Sequence, residues 1–195
     1  MTGRARTARE RREAAEARRA RRAEITDSDV VMEAAALFLS VRSRSVEETR
    51  RRLRHLGYPP PLCDQVVDRL VELGYLDDAQ FAVAWVESRD RARPRGAVAL
   101  RRELQLKGIS DETIAQVLAQ RAQAAADRDL EAGSAVVNAD HEAARKLIAK
   151  RSRSLQREAD PRRRRQKAYA LLARNGFAPD VCHEVAASVA EDDTE

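Results

Sequence analysis

Aromatic residues make up only 4% of this chain of 195 residues, and Cys63 and Cys182 are its only cysteines. So few rings cannot fill a large spherical core, which favours small units that each bury a modest apolar stripe. Two cysteines make neither a disulfide framework nor a zinc site of the usual spacing. No stretch approaches the roughly 18 apolar residues that cross a bilayer. The charged N-terminus also lacks the apolar segment of a secretory leader. A soluble chain of the cytoplasm is therefore expected, without membrane contact. Strand signals are missing too, since nowhere do apolar and polar residues alternate.

Catalytic signatures are equally scarce. There is no Gly-x-x-x-x-Gly-Lys-Ser/Thr loop to cradle phosphates, no Gly-x-Gly-x-x-Gly between strand and helix, and no Gly-x-Ser-x-Gly elbow. His55, His141 and His183 are scattered without metal-ligand spacing. Cys182 and His183 are adjacent, but helix neighbours point about 100° apart and do not face each other. Asp77-Asp78 reads as a helix cap followed by a first-turn acid. No catalytic residue, metal or cofactor is expected.

Charge is what the chain has in quantity: 37 basic residues against 32 acidic ones, a formal excess of +5. Residues 1–24 hold nine Arg and four Glu, so this arm accounts for the whole excess. The arm has no large apolar side chain to bury and is expected to be solvated, either disordered or a lone helix, suited to nucleic-acid contact or to solubility alone. The formally neutral remainder is segregated. Arg42–Leu56 has six Arg against two Glu, and Asp140–Phe177 has twelve basic residues against four acidic.

Internal periodicity gives the fold. Leu-x-x-x-Gly followed by a large apolar residue occurs at Leu53–Tyr58, Leu104–Ile109 and Leu172–Phe177. Gly just past a helix end suits the left-handed conformation, and the next apolar residue can close on the preceding turn. Five residues further on stand Cys63, Ile114 and Cys182, and then Val66, Val117 and Val185. The cysteines thus share a register position with Ile114 and read as small buried apolar residues. Each unit has a helix upstream, with apolar stripes at Leu37, Phe38 and Val41, at Phe81, Trp85 and Val86, and at Leu147, Ile148 and Leu155. Trp85 is expected as a core anchor. Ser45 and Glu48 form a capping box, and Pro61 and Pro161 fit first-turn positions. The expectation is an all-α fold of three tandem three-helix repeats in an elongated, curved array. It comprises a basic arm (1–28), repeat one (29–74), repeat two (75–122), a linker (123–139), repeat three (140–190) and an acidic tail (191–195).

One stretch, Leu73-Gly74-Tyr75-Leu76-Asp77-Asp78-Ala79-Gln80-Phe81-Ala82, resembles the RecX family of bacterial recombinase regulators. Downstream, Arg89, Gly96 and Glu103-Leu104-Gln105-Leu106-Lys107-Gly108-Ile109 continue the likeness. Arg42-Ser43-Arg44-Ser45-Val46-Glu47-Glu48 opens it and Asn175-Gly176-Phe177 closes it, within a span of about Val31 to Ala190. The resemblance implies three three-helix repeats and a non-enzymatic, monomeric modulator that lies along the groove of the RecA recombinase filament on single-stranded DNA. Such regulators restrain strand exchange, ATP hydrolysis and co-protease activity.

The residues themselves suggest a binding surface. A shift of 51 positions superposes Leu53 on Leu104 and the pair Arg50-Arg51 on Arg101-Arg102, so the first two repeats carry matching guanidinium pairs. The third breaks the rule, its cations falling earlier at Arg162, Arg163, Arg164, Arg165 and Lys167. These nine residues are the expected contacts for the recombinase, for DNA phosphates, or for both. A sequence-reading DNA-binding regulator of helix-turn-helix type is the competing expectation, because short helices with glycine turns and Arg-rich faces suit that class as well.

Overall fold

In a computed structural model, residues 7–131 and 138–191 are described, with backbone alone at 128–131 and 190–191. Arg4 and Arg6 of the arm, Gly133 and Ser134 of the expected linker, and residues 192–195 of the expected acidic tail lie outside them. The described residues form ten helices and no strand: α1 (Ala8–Ala23), α2 (Ser28–Leu39), α3 (Val46–Leu56), α4 (Pro60–Glu72), α5 (Asp78–Ala92), α6 (Ala97–Leu106), α7 (Asp111–Glu131), α8 (Ala139–Leu155), α9 (Pro161–Arg174) and α10 (Pro179–Glu191). Helices α2–α4, α5–α7 and α8–α10 are the three tandem three-helix domains.

The repeating turn after the middle helix of each domain is built by the same hydrogen bonds. Tyr58, Ile109 and Phe177 donate their N–H groups to the carbonyls of Leu53, Leu104 and Leu172. Gly57, Gly108 and Gly176 donate to Arg54, Gln105 and Ala173. This is the Schellman arrangement, which needs a left-handed residue at the glycine; φ there is 103°, 83° and 79°. The three leucines are fully buried and the apolar residues after the glycines are nearly so, so each turn also closes a piece of core. Full burial of one such leucine contributes about 1.5–3 kcal/mol.

The chain divides into two compact units, residues 1–81 and 82–195. In the first unit the core holds Val31, Ala35, Leu53, Cys63, Val66, Val67 and Leu70. The stripe expected on α2 is corrected here. Leu37 is 66% exposed and Val41 77%, while Val31 and Ala35 face inward. Leu37 lies half a turn from Ala35 on the helical wheel, and Val41 falls beyond the end of α2.

The arm is also corrected. Thr7 and Glu10 form a capping box that starts α1. Although α1 buries no residue, it does not stand alone. Arg22 donates from Nη1 to the Leu56 carbonyl at 3.3 Å, and its guanidinium lies 5.6 Å from the centre of the Tyr58 ring. The backbone of Arg19 passes so near Gly57 that a Cβ there would sit 2.9 Å from the Arg19 carbonyl oxygen. Guanidinium stacking and close backbone approach replace the apolar burial that the arm lacks.

In the second unit, the second and third domains meet at a glycine crossing. Gly96 donates to the Asn175 carbonyl at 3.1 Å, and a Cβ on Gly96 would lie 2.1 Å from the Gly176 carbonyl oxygen. Beside it, Arg121 of α7 binds Asp90 of α5 at 2.9 Å and Asp140 of α8 at 2.6 Å. Helix α7 runs on to Glu131, through the first half of the expected linker. Trp85 is a half-buried residue rather than a core anchor. Its Nε1 donates to Glu103 at 2.9 Å, while Arg89 and Lys107 lie 4.4 and 4.8 Å from its ring centre.

Candidate functional site

Helix α6 has one acidic residue, Glu103, and no side-chain cap of its own. Its N-terminus is held instead from α8: the Asp140 carboxylate accepts from the Ala97 N–H at 2.9 Å. Leu100 and Leu104 turn inward and are fully buried. Val98, Arg101, Arg102 and Gln105 recur at spacings of three and four, so they share the outward face. Val98 is 63% exposed and the neighbouring Leu106 68%.

Glu103 does not neutralise this face. Trp85 and Arg89, at 2.6 Å, engage one of its oxygens, and Arg95 approaches the other at 3.6 Å. With the helix's only carboxylate drawn to the flank, Arg101 and Arg102 are exposed and have no ion pair with another described residue. The outward face of α6 therefore combines two uncompensated guanidinium groups with two exposed apolar side chains.

The corresponding pair in the first unit has a different charge balance. Arg50 is half-buried and binds Glu47 at 3.1 Å and Asp64 at 2.9 Å. Burial works against its charge, but these two carboxylates outweigh that and raise its pKa above the ordinary value. Arg51 pairs with Glu47 at 3.2 Å. The register equivalence of the pairs holds, whereas their availability differs, because Glu47 of α3 and Asp64 of α4 reach their arginines while Glu103 of α6 is turned to the flank.

The cationic run of α9 is split by helical geometry. Arg162 and Arg165 are exposed, three residues apart, with no ion pair among the described residues. Arg163 leans toward Asp160 at 3.6 Å, and Lys167 pairs with Glu158. Arg164 departs from the expected surface: it is only 6% exposed, and its Nε donates to the Glu158 carbonyl at 3.0 Å. Its position, one turn before the buried Ala168, places it on the inward face.

Other chemistry is sparse. Among the described residues, no group of three His, Cys, Asp or Glu could hold a metal ion, and no helix is long and apolar enough to cross a membrane. Cys63 and Cys182 are fully buried free thiols, and burial pushes both upward from the ordinary thiol value. Such thiols are poor nucleophiles. Sequence reasoning missed Val98, Gln105 and Leu106. The three-and-four spacing from Val98 through Arg101 and Arg102 to Gln105 was the available signal.

Known proteins match this arrangement along most of its length. Family models for the first, second and third three-helix domains of RecX match residues 32–70, 77–118 and 139–185 in order. Regulatory protein RecX of Mycobacterium ulcerans (strain Agy99) is 35% identical over 147 residues, covering 75% of this chain and 77% of that protein. Regulatory protein RecX of Mycolicibacterium smegmatis is 31% identical over 150 residues, covering 75% and 72%. The crystal structure of RecX from Lactobacillus salivarius aligns with a TM-score of 0.65 at 18% identity, covering 83% of this chain and 96% of that one. A second crystal structure of a regulatory protein RecX gives 0.64 at 20% identity, covering 95% and 80%. At these identities the two crystal structures speak for the fold.

Proposed function

Because the chain belongs to the RecX family of regulatory proteins, carrying all three of its helical domains in order, we propose that it binds the RecA recombinase and its filament on single-stranded DNA. Bound there, it restrains strand exchange, ATP hydrolysis and co-protease activity, and it catalyses no reaction itself. It works as a monomer in the cytoplasm, without metal or cofactor.

The observation that carries this reading is the α6 face. Protein interfaces combine apolar and arginine anchors, and Val98, Arg101, Arg102 and Leu106 supply both kinds without an internal carboxylate to compete. A filament presents the same subunit surface many times. Modest contacts repeated along it add through effective concentration, so no single deep pocket is required. The free guanidinium groups of Arg162 and Arg165 on α9 supply further contacts, and Arg51 contributes by exchanging its exposed ion pair with Glu47, worth about 1 kcal/mol or less, while the half-buried Arg50 keeps its two carboxylates and offers only its exposed edge.

Co-sedimentation with recombinase filaments, with DNA alone as the control, tests the proposal. Replacing Arg101 and Arg102 by Ala should reduce filament binding and inhibition on the order of tenfold, the usual scale for losing anchoring arginines. The far-UV circular dichroism should stay unchanged, since both side chains are exposed. Undiminished inhibition by a folded variant would refute the α6 face as the docking surface.

A further inference from the structure

The docking of α1 on the first domain creates a feature that neither element has alone. A cleft of about 400 Å³ opens between α1 and α3, lined by Arg18, Arg19, Arg22, Arg52 and His55, with Glu16 its only carboxylate. Arg18 and Arg22 stand four residues apart on α1, about 6 Å along the axis. Arg52 stands across the cleft on α3, one turn before His55, so guanidinium groups from both helices face one channel. Neither Arg18 nor Arg52 makes an ion pair with another described residue.

The positive charge continues past the cleft. Arg52 lies 5.7 Å and Arg44 4.1 Å from the centre of the Phe38 ring, so two guanidinium groups share one aromatic ring. The Nε of Arg44 is buried without a hydrogen-bond partner. Burial and the like charge of Arg42 lower the Arg44 pKa from its ordinary value; the Glu48 carboxylate, which Arg42 binds at 3.0 Å, works against that, and the charge of Arg52 adds more weakly to the lowering. This is a crowded set of cations, partly neutralised by Glu48 and held together by the fold against its own repulsion.

We propose that the α1–α3 cleft is a nucleic-acid site that grips the phosphodiester backbone without reading sequence. Guanidinium forks match phosphate oxygens, and guanidinium groups on both walls of a channel suit a ligand that carries a charge at every residue. Of the residues around the cleft only Leu56 is large and apolar, and none is aromatic. It therefore lacks the anchors of a protein interface and has the polar, cationic character of a nucleic-acid one. A lipid surface fits poorly, because Ala8–Ala23 contains no Leu, Ile, Val, Met or aromatic residue to insert.

Binding and docking are linked in this design. Helix α1 buries no side chain, so its attachment rests on Arg19 and Arg22. A strand lying between α1 and α3 binds only the docked arrangement and so stabilises it.

The test is fluorescence anisotropy of a labelled mixed-sequence oligonucleotide, single-stranded and duplex, titrated with the full chain over a range of salt. The double variant Arg18→Gln, Arg52→Gln spares the two arginines that hold α1. Loss of two phosphate contacts should lower the slope of log K against log salt by about 1.4 on single strands and about 1.8 on duplex. Affinity at low salt should fall on the order of tenfold. Arg101→Ala, Arg102→Ala should leave that slope unchanged, which separates this site from the recombinase-binding face on α6. DNA should also slow trypsin cleavage within α1 of the parent chain and not of the double variant. An unchanged salt slope in the double variant would overturn the proposal. So would a slope that depends on Arg101 and Arg102 instead, or binding to anionic phosphatidylserine vesicles that matches binding to DNA.

Discussion

A methyl group added at Gly74 would meet no atom within 4 Å, whereas one added at Gly96 would sit 2.1 Å from the carbonyl oxygen of Gly176. The two positions separate the demands that a fold places on glycine. Gly74 has φ +74° and needs only backbone freedom, so Gly74→Ala should cost about 1–2 kcal/mol, the strain of a left-handed L-residue. Gly96 has φ −75°, a value any residue adopts. Its requirement is space, and the obstructing atoms belong to backbone that cannot rotate away. Gly96→Ala should therefore cost at least as much, about 2–3 kcal/mol or more, the range for inserting atoms into a packed contact. Urea midpoints of the two variants check both values, and a Gly96→Ala protein as stable as the parent would contradict the crossing of Gly96 over Gly176. The turn glycines were readable from sequence because positive φ follows the helix end, a local matter. Gly96 was not, because the chain that blocks its Cβ lies some 80 residues away.

Helices in this protein are capped partly from other helices. Asp77 caps its own helix, accepting from Gln80 at 2.9 Å, but Asp78 reaches back and accepts from the Val46 N–H at the start of α3, also at 2.9 Å. Asp140 does the same for α6. Each carboxylate sits in the first turn of one domain's opening helix and caps the middle helix of the preceding domain. Burial raises the Asp78 pKa above its ordinary 3.8, despite the opposing bond from Val46. Between 3.8 and this raised value the folded state binds more protons than the unfolded state. Stability therefore falls as pH rises through that window, and the loss persists above it. Asp78→Asn keeps an acceptor oxygen and removes the titration. Relative to the parent, it should gain stability between acid and neutral pH, while Asp78→Ala should lose about 1 kcal/mol at acid pH for want of a cap and less as pH rises, because it too lacks the titration. Thermal melts from acid to neutral pH decide it; a parent and Asp78→Asn variant with parallel profiles would contradict the burial argument. Sequence placed both acids at a helix start, where Asp is expected on propensity alone, and nothing local revealed that Asp78 serves α3. Arg164 escaped for a different reason. A run of four arginines looks uniformly solvated, yet the helical period must turn one of them inward, and Arg164, one and two turns before the buried Ala168 and Leu172, is the one in phase. Arg101 and Arg102 were legible as a surface pair because the buried Leu100 and Leu104 fix the phase of α6 directly.

Repeat proteins draw stability from each module and from the joints between neighbours, and in the second unit the joint is charged. The Arg121 side chain is only 9% exposed and links Asp90 of α5 to Asp140 of α8, which itself caps α6. Burial opposes its charge, but its hydrogen bonds to the two carboxylates outweigh that and raise its pKa. Removing the guanidinium leaves Asp140, equally buried, without its cation. Arg121→Ala should thus cost about 3 kcal/mol or more, the usual penalty for breaking a buried pair from one side. The loss should not stay within one domain, because Asp140 and the Gly96–Gly176 crossing tie the second and third domains at adjacent points. Hydrogen exchange followed by mass spectrometry should show weaker protection in α6 and in α8–α9 together, with α2–α4 of the first unit as the reference. Replacing Asp140 by Asn in the Arg121→Ala background should recover part of the loss by removing the stranded charge while keeping an acceptor for Ala97. Loss confined to α7, with α8 and α9 as protected as before, would mean that the two domains fold independently and that the Arg121 network is only a surface ornament on each.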